Sequence, residues 1–197
     1  VTLKDGTTIS EIGRVIICTG YHFSLPFLQE FHNDTLPPEK ADSKVLVTNG
    51  TQLHNLHKDI FYIPDPTLAF VGVPFYTATF SFFEYQAIAV AAVFSGWAWL
   101  PSEGEMKREY VERVGTKGLG RAFHDMKGEE VEYVKVLVEW VNGQAEVTGG
   151  WTVEGHSREW LERRGASRET FLKFLVEKEK RERGRVLLGS TKEVHQI

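Results

Sequence analysis

The run Arg14-Val15-Ile16-Ile17-Cys18 stops at Thr19-Gly20-Tyr21, and no other feature constrains this chain as much. A short β-branched run with no polar alternation predicts a strand buried on both faces. The Thr-Gly-Tyr turn then hands the chain to a loop at the carboxyl edge of a sheet, where open α/β sheets bind ligands. A second apolar run, Thr67-Leu68-Ala69-Phe70-Val71-Gly72-Val73, lies about fifty residues later. Its near-continuous apolar character predicts a central or parallel strand. Cys18, inside the first run, is expected to be a buried structural thiol. A single cysteine excludes a disulfide framework within the chain and a cysteine-based metal cluster.

Around these two runs the punctuation is clear. Val1-Thr2-Leu3 and Thr7-Thr8-Ile9 flank Asp5-Gly6, a two-residue hairpin signal. Pro26, Pro37 and Pro38 mark an irregular connection, and 45–47 reads as a short strand. Residues 53–63 read as extended up to Pro64 and Pro66. Ser81 and Glu84 have capping-box spacing for a helix running to Ser95, with Gly96 as its stop. That helix is apolar on nearly every side, which predicts burial. Ala87 and Ala91 form a small-residue stripe along it, letting it lie close to a sheet or a ligand.

Ser102 and Glu105 repeat the capping box for a helix to Val114, and Gly115–Gly120 reads as a surface loop. Residues 130–142 fit either a strand or a helix. Residues 168–183 form a charged helix with Glu169/Lys173 and Glu177/Arg181 pairs, ended by Gly184. Charge is uneven: residues 1–100 carry 5 Lys+Arg and 9 Asp+Glu, and residues 101–197 carry 18 of each. The first half therefore reads as core and the second as a solvated helical layer. The net charge of −4 gives no reason to expect nucleic acid. The longest apolar stretch, 87–94, is too short to span a bilayer.

Taken in order, the motifs resemble those of the flavin-containing monooxygenases. Cys18-Thr19-Gly20-Tyr21 followed by Leu25-Pro26-Phe27-Leu28 is similar to the strand that closes the family's NADPH-binding region. Leu53 to Pro64, then Thr67-Leu68-Ala69-Phe70-Val71-Gly72, looks like the return into its FAD domain. Glu84-Tyr85-Gln86-Ala87 is similar to its Glu-Leu-Gln-Ala helix start, and 130–142 is then expected to be helical.

The resemblance covers roughly residues 1–103. It implies an α/β, two-dinucleotide-binding flavoprotein, with 1–52 ending the NADPH region, 53–101 the later part of the FAD domain and 102–197 a mainly helical region. It also implies FAD and NADPH as cofactors, dioxygen, and a small substrate with a nucleophilic nitrogen or sulfur. The oxygen transfer would pass through a C4a-hydroperoxyflavin, in a cytoplasmic enzyme. No Gly-x-Gly-x-x-Gly turn occurs, so the chain reads as the later part of a longer protein, inactive alone. A Baeyer–Villiger enzyme, a flavoprotein reductase and a non-enzymatic binding domain are the alternatives.

No side chain is required as acid, base or nucleophile. The candidate cofactor contacts are Thr19, Gly20 and Tyr21 at the first turn, and Thr79, Phe80, Ser81 and Phe82 at the helix start. That helix end is expected to offer free N–H groups to the N1/C2=O edge of a flavin. His22 and Tyr21 read either as lining the cofactor cleft or as ordinary turn packing. Glu84 reads as the N3 partner of its cap, and Trp97 and Trp99 as packing or interface residues. His54 and His57 lack a third ligand nearby and are not expected to hold a metal. Asn33-Asp34-Thr35 and Asn49-Gly50-Thr51 fit the glycosylation pattern, which arises readily by chance.

Overall fold

The computed structural model describes residues 1–16, 18 and 20–190; the side chains of 179 and 182–190 lie outside that description. Two compact units result. One combines Val1–Val90 with Leu100–Lys127; the other combines Ala91–Trp99 with the described residues from Gly128 onward.

In the first unit the opening hairpin forms as expected. Thr2 bridges Thr8, and Ile9 N–H donates to Val1 O at 2.9 Å. The run after it does not become a buried strand. Ile16 is 85 % exposed, and Val15 and Cys18 are exposed too. A strand needs a neighbour for its N–H and C=O groups. Among the described residues none lies alongside 14–16, so the β-branched run stays uncovered and Cys18 is no core thiol. Ile17 and Thr19 lie outside the described residues.

Order begins at Phe23, whose N–H donates to Gly50 O at 2.8 Å. Val47 is the hub of the next segment, bridging His32 in parallel and Leu53 antiparallel. Residues 53–63 are not one extended stretch. They fold into a hairpin of β1 (Leu56–His57) and β2 (Phe61–Tyr62), with Leu56 opposite Tyr62. The reversal works because Lys58 and Asp59 take left-handed φ of 54° and 55°, uncommon for non-glycine residues.

The run 67–73 is not a central strand either. Asp65 Oδ1 accepts from Thr67 N–H, and Leu68 N–H bonds Asp65 O, so its start is spent on a turn. Its pairing is a single bridge, Ala69 antiparallel to Phe61, flanked by Tyr62 N–H to Leu68 O and Phe70 N–H to Ile60 O, and Val71 is exposed. The core of this unit is Leu46, Val47, Leu53, Leu56, Tyr62 and Val73, with Phe23, Phe31, Leu68 and Phe70 packed against it.

Helix α1 (Thr79–Phe94) begins before its expected cap. Phe82 N–H already bonds Ala78 O, and the Ser81 hydroxyl donates back to that same carbonyl. Ser81 therefore sits within the first turn rather than capping it, and Glu84 is exposed rather than an N3 partner. Nor is the helix buried all round: Phe82, Gln86, Ala89 and Ala92 face inward, whereas Ala87 and Ala91 face out. Gly96, at φ 79°, ends it as expected.

Helix α2 (Glu103–Lys117) carries the full capping box of Ser102 and Glu105. It runs past Val114 and includes Gly115, so only Gly118 and Gly120 of the expected glycine loop take turn conformations. A 3-10 turn, Arg121–His124, comes after it.

In the second unit, α3 (Glu130–Thr148) settles the open choice at 130–142 as helix. Its stripe Val134, Leu137, Val141 and Ala145 is buried at helical spacing. Trp97 meets Trp151 edge to face, and its carbonyl accepts from the Thr148 hydroxyl at 2.8 Å. Helix α4 (Arg158–Ser190) is longer than the expected 168–183 and continues through Gly184. Ser157 caps its start, accepting from Trp160 N–H at 3.2 Å, and Arg164 places Nε and Nη2 on buried Glu130, at 3.1 and 2.7 Å. No described helix is long and apolar enough to cross a membrane.

Candidate functional site

The β1–β2 reversal drives Asp59 into the core, where its side chain is fully buried. A buried carboxylate needs partners. His124 Nδ1 lies 2.9 Å from Oδ1, and Arg113 Nη2 lies 2.6 Å from Oδ2. Burial alone would raise the Asp59 carboxyl; His124 and Arg113 outweigh it and hold it below the usual carboxylate range. His124 Nε2 lies 3.0 Å from Leu53 N and 3.2 Å from Leu53 O, which ties the ring to the segment before β1. Arg113 also donates to Phe123 O and lies 4.8 Å from that ring's centroid.

Beside this triad runs a second buried chain. His54 Nε2 meets the Thr48 hydroxyl at 2.9 Å, and Gln52 donates to the Tyr110 hydroxyl at 3.2 Å. Gln52 Oε1 accepts from Gly120 N–H at 2.8 Å. The Arg121–His124 turn is thus fixed at both ends, through Gly120 to Gln52 and through His124 to Asp59 and Leu53.

That brace sets Arg121 at a cleft of about 60 Å³, lined by Tyr21, His22, Phe23, Gly50, Thr51, Phe75 and Arg121. Two glycines shape it. Gly20 (φ 82°) offers bare backbone to the Arg121 guanidinium, where any Cβ would collide. A Cβ on Gly50 (φ 79°) would come within 2.8 Å of His22. His22 Nδ1 donates to Asn49 O at 2.9 Å. Tyr21 is 98 % exposed, and Arg121 lies over the Phe75 ring, 5.7 Å from its centroid.

The other candidate residues stand at the start of α1. Thr79 and Phe80 open the helix, and Phe80 is 94 % exposed. Ser81 has committed its hydroxyl to Ala78 O, and Phe82 is fully buried. The first turn carries no acidic residue, so its N–H groups meet no carboxylate of their own turn. The cleft thus gathers Tyr21 and His22, with Gly20 against the Arg121 guanidinium beside it, while Thr79–Phe82 form a separate feature and Thr19 lies outside the described residues. No local sequence pattern singles out Arg121, Asp59, Arg113 or His124. The partners of Asp59 lie 54 and 65 positions on, beyond any local spacing rule.

A family model described as "FMO-like: Flavin-binding monooxygenase-like" matches residues 1–148. The chain belongs to this family. Flavin-containing monooxygenase ustF2 of Aspergillus flavus is 45% identical over 87% of this chain and 35% of its own length. Flavin-containing monooxygenase ustF1 of the same organism is 54% identical over 64% of this chain and 32% of its own. Trimethylamine monooxygenase of Roseovarius is 26% identical over 87% of this chain and 35% of its own. The chain spans about a third of the length of the curated relatives it matches.

A flavin-binding family implies a flavoprotein fold and a flavin cofactor. The donors of the cleft and of α1 fit such a cofactor in part. A helix start free of acidic residues suits an electron-rich ring edge, and Arg121 suits an oxyanion. They do not fit the whole dinucleotide, because the Gly-rich turn that cradles a pyrophosphate is not in this sequence.

Proposed function

We propose that this chain forms part of an FAD- and NADPH-dependent monooxygenase that places one oxygen atom on a small nucleophilic nitrogen or sulfur centre. The family match over residues 1–148 carries the reading. For a tertiary amine the reaction balances when the amine, dioxygen, NADPH and one proton give the amine N-oxide, NADP+ and water. The nitrogen class is supported by a relative named for trimethylamine. When bound, the flavin supplies the activation of dioxygen with electrons from NADPH.

The chain's own part is to position and to exclude water. The N–H groups of Thr79, Phe80 and Ser81, at the positive end of α1, would hold an electron-rich edge of the flavin. Buried Phe82 fixes that end in the unit, and Gln86, one turn on, accepts from Gly72 N–H at 2.9 Å. Phe80, exposed beside those N–H groups, would shield the bound ring from water. Thr19, Gly20 and Tyr21 serve the nucleotide side.

The experiment is to purify the protein at its full natural length and follow NADPH oxidation with trimethylamine and with a small thiol. Bound flavin and substrate-stimulated oxidation are expected. A flavin-free protein, or oxidation indifferent to both substrates, would overturn the reading.

A further inference from the structure

We propose that the second unit pairs with that of a second copy of this chain, the uncovered half of α4 docking on the outer face of the other copy's α3. Helix α4 outruns its support. Arg164 pairs with Glu130 in the first turn of α3, and a Cβ on Gly128 would come within 3.2 Å of the Arg168 guanidinium. Both contacts lie at the beginning of α3, and α4 moves one turn past it between them. The next residues on that face, three to four positions apart, are Phe171, Leu172 and Leu175. Helix α3 begins at Glu130 and offers them nothing to pack on, so they are 59, 48 and 42 % exposed.

The complement of this stripe is on α3 itself. Glu132, Val136, Glu139, Gly143, Glu146 and Val147 recur at helical spacing, and all are exposed, opposite the stripe that α3 buries. Gly143 leaves open space where a Cβ would stand, which lets another helix come close. Charge separates the two surfaces. Residues 129–157 hold six Glu and one Lys, whereas residues 158–181 hold eight Lys+Arg and five Glu. An acidic stripe with two valines thus fits a basic helix bearing a phenylalanine and two leucines, and opposite potentials steer and align such surfaces. Helix α4 cannot reach the outer face of its own α3. It is one helix of 33 residues, about 50 Å long, anchored at the start of α3, and it would have to reverse direction. A second copy meets the need. Its α4 takes the first copy's α3 in return, a two-fold exchange that closes as a dimer.

The test measures the mass of the 197-residue chain in solution, by light scattering and sedimentation over a range of concentrations. A two-copy mass is expected, weakened by salt. K178E/R181E on α4 and, separately, E139K/E146K on α3 should each raise the dissociation constant about tenfold or more, because like charges then face each other. All four side chains are exposed, so helicity and the urea midpoint of the single copy should stay as in wild type. Mixing the two variants should restore a two-copy species with one chain of each, since the reversed α4 then meets the reversed α3. F171S/L175S should leave a single-copy mass.

A single-copy wild type across the whole range would overturn the pairing. So would a dimer indifferent to all three variants, or a mixture of the reversed chains that does not reassociate. At full natural length the dimer should persist and respond to the same substitutions. A full-length monomer, or a dimer insensitive to them, would mean that the remaining part of that protein covers the stripe, and would overturn the pairing as well. Mass is read without flavin or substrate, so each of these outcomes leaves the monooxygenase reading untouched.

Discussion

Asp59 Oδ1 stands 2.9 Å from His124 Nδ1, although the two residues are 65 positions apart. This contact closes the first unit. It ties the β1–β2 reversal to the turn after α2, with Arg113 completing the triad from α2 itself. The buried charge is satisfied only while all three elements are in place, so the triad specifies how they assemble.

Replacing Asp59 with Asn should therefore destabilise by about 3–5 kcal/mol, since Arg113 and His124 would lose the one carboxylate they share. The check is the urea midpoint of the chain. A midpoint within experimental error of wild type would show that the triad is not the lock described here.

Acid should weaken the chain before the carboxylates titrate. Burial pushes His57 down to about 3, with Lys58 adding to it, and burial pushes His54 down to about 4. Glu109, 3.4 Å from His57 Nδ1, does not reverse this because it is half-exposed and screened by water. Both imidazoles are thus neutral when folded and protonate in the unfolded chain below about 6.5. Their stabilising contribution is complete above that value and is lost as pH falls towards 4 and then 3. Each histidine contributes a slope of about 1.4 kcal/mol per pH unit in that window. Urea midpoints between about pH 7 and pH 5 should fall, and His57→Leu should flatten the fall by about one proton. Equal slopes in both proteins would contradict the burial of His57.

Two alanines on α1 should behave differently. Ala89 is fully buried and Ala91 is exposed. Ala89→Leu should cost about 1–3 kcal/mol by overpacking, whereas Ala91→Leu should shift the midpoint little. Thermal or urea unfolding of the pair decides it. Equal losses would place Ala91 in a packed interface as well.

The sequence was informative where structure depends on near neighbours. The Asp5-Gly6 hairpin, the Ser102–Glu105 box and the Gly96 stop each need only a few adjacent residues, and all three formed. Apolar runs were less reliable, because burial depends on what covers them. Residues 14–16 have the composition of an inner strand but no partner among the described residues, and 67–73 loses its beginning to the Asp65 turn. The spacing of Ser81 and Glu84 matched a cap, yet α1 starts at Thr79 and absorbs both. At the candidate site Gly20 and Tyr21 were visible as the end of a run. Arg121 was not, because its meaning comes from tertiary placement by Gln52, Asp59 and His124.

Oxygen transfer itself is tested most directly by isotopic labelling. The protein at its full natural length is turned over with NADPH and trimethylamine under 18O2, and the product is analysed by mass spectrometry. One labelled oxygen atom is expected in each product molecule, with NADPH consumed in equal amount. Unlabelled product, or label recovered only in hydrogen peroxide while the amine is unchanged, would contradict a monooxygenase.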